Sequence, residues 1–228
     1  MLIIYPTRGA TNGTEIEDFN STLLERHITP MTFLPNTLPK RPAYKSIMLK
    51  ILVRGDNEFE ISQTISRLTA MLQNCEIGFK DMGTVRTPVE VTGSITPEKV
   101  NNTAYTLEYN FIGEMSYTFR PKKFGGTGQE LEYNNNGTWD SPFKMKVSIM
   151  KETPILNITV GDTSMGFKDL KMGNVLIIDT LETKITLNGQ PNIDKMTTSV
   201  FPTLPVGLGR ITFSSEVHAQ VEYREMWI

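Results

Sequence analysis

Met172-Gly173-Asn174-Val175-Leu176-Ile177-Ile178-Asp179-Thr180, then Lys184-Ile185-Thr186-Leu187-Asn188-Gly189, then Phe201-Pro202-Thr203-Leu204-Pro205-Val206-Gly207 and Arg210-Ile211-Thr212-Phe213, is the stretch on which the fold turns. Three short runs rich in Val, Ile, Leu, Thr and Phe are parted by Gly, Asn and Pro, and each has the length of a strand rather than a helix. The first two runs are separated by residues 180–183, a polar gap short enough for a hairpin. Asn188-Gly189 signals a turn because both residues tolerate positive φ. Antiparallel β-structure with tight turns is the expectation.

The same texture extends upstream to residue 130. Residues 131–133, 143–149 and 155–160 read as strands divided by Asn134-Asn135-Asn136-Gly137 and Thr153-Pro154, a spacing that suggests a sandwich. No helical period occurs after Gly125. Before it, Arg120-Pro121-Lys122-Lys123 and Phe124-Gly125-Gly126-Thr127-Gly128-Gln129 crowd turn-formers beside a basic cluster, so 117–129 reads as a linker between domains at 1–116 and 130–228.

The first domain holds the chain's one expected helix. From Asn57 to Asn74 the apolar residues Ile61, Ile65, Leu68, Met71 and Leu72 fall three and four apart and line one face, which is expected to be core. Asn57 with Glu60 three residues on forms a capping-box pattern, and Glu58 suits the positive helix end. Strands are expected at 45–54, 77–79, 85–91 and 99–112, the last with a clean alternation over 104–111. Residues 1–45 read as loop-rich with isolated strands, because Thr29-Pro30 and the cluster from Pro35 to Pro42 would interrupt a ladder. Residues 36–41 are a candidate arm toward a neighbouring copy.

Composition fits a globular protein: 39% hydrophobic, 21% charged, with a mean hydropathy of −0.23. No apolar run approaches the ~20 residues of a membrane helix, so no membrane insertion is expected. The opening residues lack a basic segment followed by an apolar core, and no secretory signal is expected. The 23 Lys+Arg against 25 Asp+Glu give a net charge of −2, which argues against specific or broad nucleic-acid binding. A lone cysteine, Cys75, supports neither an internal disulfide nor a multi-cysteine zinc site.

Candidate chemistry is sparse. His27 and His218 fall in different expected domains, and no motif joins either to Cys75 as a nucleophilic pair. Asp162, Asp169 and Asp179 match no calcium-loop spacing and read as solvated loop carboxylates. Arg54-Gly55-Asp56 spells an adhesion tripeptide, but a strand turning into a helix start explains all three residues. The Asn-x-Ser/Thr triplets at Asn12, Asn20, Asn101, Asn136 and Asn157 read as a by-product of turn composition. The glycines at 125–128 lack the strand and helix flanks of a phosphate loop. No catalytic, metal or cofactor residue is assigned, and no enzyme activity is expected. Trp139 is the one candidate for stacking a sugar ring, with a packed Trp139 the preferred alternative.

The pattern over 173–179, 185–189 and 201–213, with the closing Val221-Glu222-Tyr223-Arg224-Glu225-Met226-Trp227-Ile228, resembles the C-terminal domain of the distal tail (Dit) proteins of long-tailed phages and prophages. The family's usual Asn after the Pro-x-Gly turn is Gly209 here. The order of strand, helix and strands in the first half is similar to that family's N-terminal domain. The resemblance implies a mainly β protein with one helix: an N-terminal small sheet plus helix, forming the ring or belt, and a C-terminal galectin-like β-sandwich. It further implies a homo-hexameric ring at the distal end of the tail in the virion, made in the host cytoplasm. That ring would join the tail tube protein to the tail hub or tail-associated protein and the baseplate, with the tape measure and receptor-binding proteins as further candidate partners. The alternative is a carbohydrate-binding module that recognises the host surface.

Overall fold

The computed structural model describes residues 1–6, 8, 10–30, 44–93, 95–198 and 200–227. The candidate arm at 36–41 lies outside them. The chain divides into two compact units, Met1–Phe119 and Arg120–Trp227, each with its own apolar core.

In the first unit β1 (Leu2–Tyr5), β2 (Thr14–Glu15), β3 (Ser21–Pro30) and β4 (Lys45–Arg54) precede α1 (Glu58–Leu72). After it come β5 (Asn74–Phe79), β6 (Val85–Val91), β7 (Glu98–Asn101), β8 (Ala104–Gly113) and β9 (Ser116–Thr118). The sheet runs β2-β1-β5-β6-β8-β4-β3, with β7 on β8 and β9 on β6. Each of these neighbours is antiparallel. Alternation puts Ile47, Leu49, Ile51 and Val53 of β4 beside Leu107, Tyr109 and Phe111 of β8 in the core, as period-two patterning requires.

Helix α1 closes that core with Ile61, Leu68 and Leu72, while Ile65 and Met71 pack at its margin. Its start is the expected reciprocal cap. The Asn57 side chain accepts from the Glu60 N–H at 3.0 Å, and the Glu60 carboxylate accepts from the Asp56 N–H at 3.2 Å, satisfying donors the helix leaves open. Gly55 is needed because a Cβ there would sit 2.8 Å from Ile61. The tripeptide 54–56 is thus accounted for by strand end, close approach and cap.

The expectation of loops before residue 45 is corrected. Ser21–Pro30 is a ten-residue strand, and Thr29 and Pro30 pair with Ser46 and Lys45. Strand β3 is the sheet's edge, where a missing N–H costs no ladder bond. The expected strand over 99–112 is two strands, parted at Asn102 and Thr103.

The second unit contains β10 (Lys122–Asn135), β11 (Phe143–Ile149), β12 (Thr153–Val160), β13 (Thr163–Leu170), β14 (Val175–Asp179), β15 (Lys184–Leu187), β16 (Gln190–Pro191), the long β17 (Gly207–Tyr223) and β18 (Met226–Trp227). Their order is β13-β12-β17-β11-β14-β15-β16, with β10 along β17. The β14–β15 hairpin closes as its polar gap suggests, Asp179 opposite Lys184. Asn188 and Gly189 take φ of 53° and 82° between paired Leu187 and Gln190, a two-residue turn of the type both residues favour.

The sandwich is one sheet folded on itself. Along β17, Thr212 pairs with Glu130 and Val217 with Gly128, so 213–216 bulge opposite the single residue Gln129. Strand β12 pairs with β17 before this corner and β11 after it. Ile158 and Phe167 from one half therefore meet Met145, Val147 and Ile178 from the other in a single core.

The linker reading of 117–129 is corrected too, since 122–129 lies within β10. Its glycines belong to the ladder: a Cβ on Gly125 would stand 2.5 Å from the Ala219 carbonyl oxygen. Turn composition here reflects close strand approach.

Candidate functional site

Three kinds of place could carry function here: buried polar clusters, free sheet edges and the outward sheet faces.

In the first unit the Arg86 guanidinium lies between two rings, 3.5 Å from the centroids of Tyr5 and of Phe119. Arg86 donates to the Ala10 carbonyl and stands 3.6 Å from the Glu76 carboxylate, which also accepts from the Tyr117 hydroxyl. Both charged side chains are almost wholly buried, 6% and 1% exposed. Lys45 donates to Ser116 Oγ at 2.8 Å, and the hydroxyls of Ser116 and Thr87, next in sequence to Tyr117 and Arg86, lie 2.6 Å apart. Burial pushes the Lys45 ammonium down to about 8. Planar Arg is suited to such a sandwich of rings. These clusters bind together the N-terminal segment, β5, β6 and the exit toward Phe119, and their chemistry is that of a structural clamp.

Asn135 does similar work in the second unit. Wholly buried, its Nδ2 donates to the carbonyls of Trp139 and Leu204 at 3.2 and 3.0 Å. Its Oδ1 accepts from the Gly137 N–H and the Ser141 hydroxyl. The sequence showed only a turn-rich run from 134 to 137, and nothing in it marks Asn135 as the residue that ties that turn to the loop at 204. Glu225, also buried, accepts from Lys122 and the Asn136 N–H.

The candidate reactive residues are not brought together. The Cys75 thiol faces the Leu72 carbonyl at 3.9 Å, and burial, with Glu76 adding to it, pushes it up to about 12. His27 is exposed beside Glu25, and His218 shares a 2.9 Å hydrogen bond with Thr127. Asp169 lies 3.4 Å from Lys195, and Asp179 accepts from the Glu182 N–H at 3.1 Å. Among the described residues no cluster of three or more His, Cys, Asp or Glu side chains could hold a metal ion. Trp139 is half-buried, bridged through its backbone to Met226.

The edges are more telling. Among the described residues β3 pairs with β4 alone and β10 with β17 alone, so each offers one row of backbone donors and acceptors to a further strand. Strand β3 carries Glu25, Arg26 and His27 in sequence, charges that limit indiscriminate pairing. Arg26 is itself fixed, bidentate to Asp81 at 3.2 and 2.9 Å and over the Phe79 ring at 4.2 Å.

Residues 136–227 match the model of a protein family described as siphovirus-type tail component, C-terminal domain. Over its whole length the chain is similar to the crystal structure of the Dit protein (gp 19.1) of phage SPP1, described as a paradigm of the hub adsorption apparatus in phages infecting Gram-positive hosts. That match has a TM-score of 0.72 at 12% identity and covers 100% of both chains. No curated protein sequence matches the chain.

Proposed function

We propose, for a chain whose residues 136–227 carry a siphovirus-type tail-component domain and whose two units together take the Dit fold, that it is a structural protein of the phage tail hub. The observation that carries this reading is the coincidence of the two comparisons. The sequence match covers residues 136–227 of the second unit, and the fold match covers both units.

The finer picture is a distal tail protein whose six copies close into a ring. One side of the ring would meet the tail tube, and the other the tail hub protein, the baseplate and the host-binding apparatus, with the tape measure and receptor-binding proteins as neighbours. Free edges on β3 and β10 suit head-to-tail contacts, which close into a ring when the rotation between copies allows it. The role is architectural, and the buried clamps at Arg86 and Asn135 serve rigidity rather than turnover. Immunogold labelling of particles carrying this chain tests the placement: label at the tail end opposite the head is expected, and label along the tube or on the head would contradict it.

A further inference from the structure

Asn-Gly occurs three times in this chain, at 12–13, 136–137 and 188–189. The dipeptide is chemically labile because glycine has no Cβ to keep its nitrogen away from the preceding side-chain amide. Asparagine counts among the thermolabile residues for this kind of reason. The fold treats the three sites differently.

Asn188 is pinned to the neighbouring strand. Its Oδ1 accepts from the Val175 N–H at 2.8 Å, and its own N–H donates to the Val175 carbonyl at 2.8 Å. At 136–137 the nucleophile itself is held: Gly137 is buried, and its N–H donates to Asn135 Oδ1 at 3.1 Å. The Asn136 N–H is bound in turn to the Glu225 carboxylate at 2.8 Å, whose charge opposes a second anion beside it. Asn12 and Gly13, by contrast, are both exposed. Pairing of β1 with β2 stops at Ile4 and Thr14, and among the described residues neither the Asn12 side chain nor the Gly13 N–H has a hydrogen-bond partner.

We propose that Asn12 is the residue at which the folded chain spontaneously deamidates. A base removes the Gly13 N–H proton, and the nitrogen attacks Asn12 Cγ. The new C–N bond closes a succinimide ring, while the bond to the side-chain amide nitrogen breaks and ammonia leaves with a proton from water. Water then opens the ring at either carbonyl, giving aspartate or isoaspartate. The balance is one water taken up and one ammonia released, with no change of oxidation state. Gly13 is fixed by packing, since a Cβ there would stand 2.6 Å from Tyr5 Cε1 and closer still to Ile3, so the labile pair cannot be relieved at the glycine. That Tyr5 ring lies against the Arg86 guanidinium, which also donates to the Ala10 carbonyl. The extra backbone methylene of isoaspartate falls between Ala10 and Gly13, two supports of the buried clamp, and loosens it. The proposal goes beyond the hub reading and does not rest on it.

The test is to hold the purified full chain for weeks at about pH 8, where base catalysis proceeds, and to map its proteolytic peptides by mass spectrometry. Conversion adds about 1 Da and a negative charge, aspartate being ionised far above its pKa of about 3.9. A hydrogen bond that must break before ring closure slows it about tenfold, so the Asn12 peptide should convert at least about tenfold faster than the Asn136 and Asn188 peptides. In urea the three rates should converge. Asn12→Gln should remove the fast conversion and leave the other two sites unchanged. The isoaspartyl fraction, separated by chromatography, should unfold at a lower urea concentration than fresh protein, whereas Asn12→Asp, with the charge but not the longer backbone, should not. Comparable rates at the three sites in the folded protein, faster conversion at Asn136 or Asn188, or no conversion of Asn12 would overturn the assignment. An isoaspartyl fraction with an unchanged midpoint would overturn its link to the clamp.

Discussion

The ring of Tyr133 lies across the backbone of Gly209, its direct partner in the β10–β17 ladder. A Cβ at 209 would stand 2.9 Å from Tyr133 Cε1 and closer still to Cζ and Oη. This explains why glycine occupies the position after the Pro-x-Gly turn in this chain: the aromatic side chain covers the strand where its partner has none, a known way of supporting a glycine in a sheet. Gly209→Ala should therefore destabilise the second unit by about 1–3 kcal/mol through overpacking. Urea unfolding checks it, and an unchanged midpoint would refute the account of Gly209.

The Arg86–Glu76 pair is buried on both sides, so loss of one partner strands the other charge. Arg86→Met or Glu76→Gln alone should cost about 3–5 kcal/mol, and the double change less than the sum of the two. A double-mutant cycle with purely additive effects would show that the two do not interact.

The pH dependence of the first unit should carry the mark of Lys45. Its pKa falls from 10.5 to about 8 on folding, so between those values the unfolded chain holds a proton that the folded chain has released. Stability from this group therefore rises with pH from about 8 to 10.5. Cys75, raised to about 12, acts in the opposite sense above its ordinary value of 9.0, as Tyr223 of the second unit, also raised to about 12, does above 10.0. The difference between wild type and Lys45→Met isolates Lys45: it should move in favour of wild type over that window, and a flat difference would contradict the assignment.

Cys75 should be inert in the folded protein. With the residue 2% exposed and its thiolate disfavoured, it should react with a thiol reagent at pH 8 only on unfolding. Prompt labelling under native conditions would show that β5 opens readily.

Local signals made part of this fold legible. Strand β4, helix α1 with its Asn57 cap, the β14–β15 hairpin and the Asn188-Gly189 turn each follow from residues within a few positions of one another. Other parts depend on distant partners and left little trace. Strand β10 resembles a linker because Gly125 answers to Ala219, and Ser21–Pro30 resembles a loop because only its place at the sheet edge makes Pro30 acceptable. Strand β17 was visible at 210–213 and at its closing residues, but its length is set by pairing with β10, β11 and β12 in turn. Strand β13, with Gly166 and Asp169 inside it, had no clear alternation to find.

The native mass of the purified chain, read together with negative-stain images, tests the hub account most directly. Six copies of 25.7 kDa give 6 × 25.7, about 154 kDa, and a closed ring of that mass is the predicted result. A chain that stays monomeric near 25.7 kDa, even when mixed with tail tube and hub proteins, would contradict it.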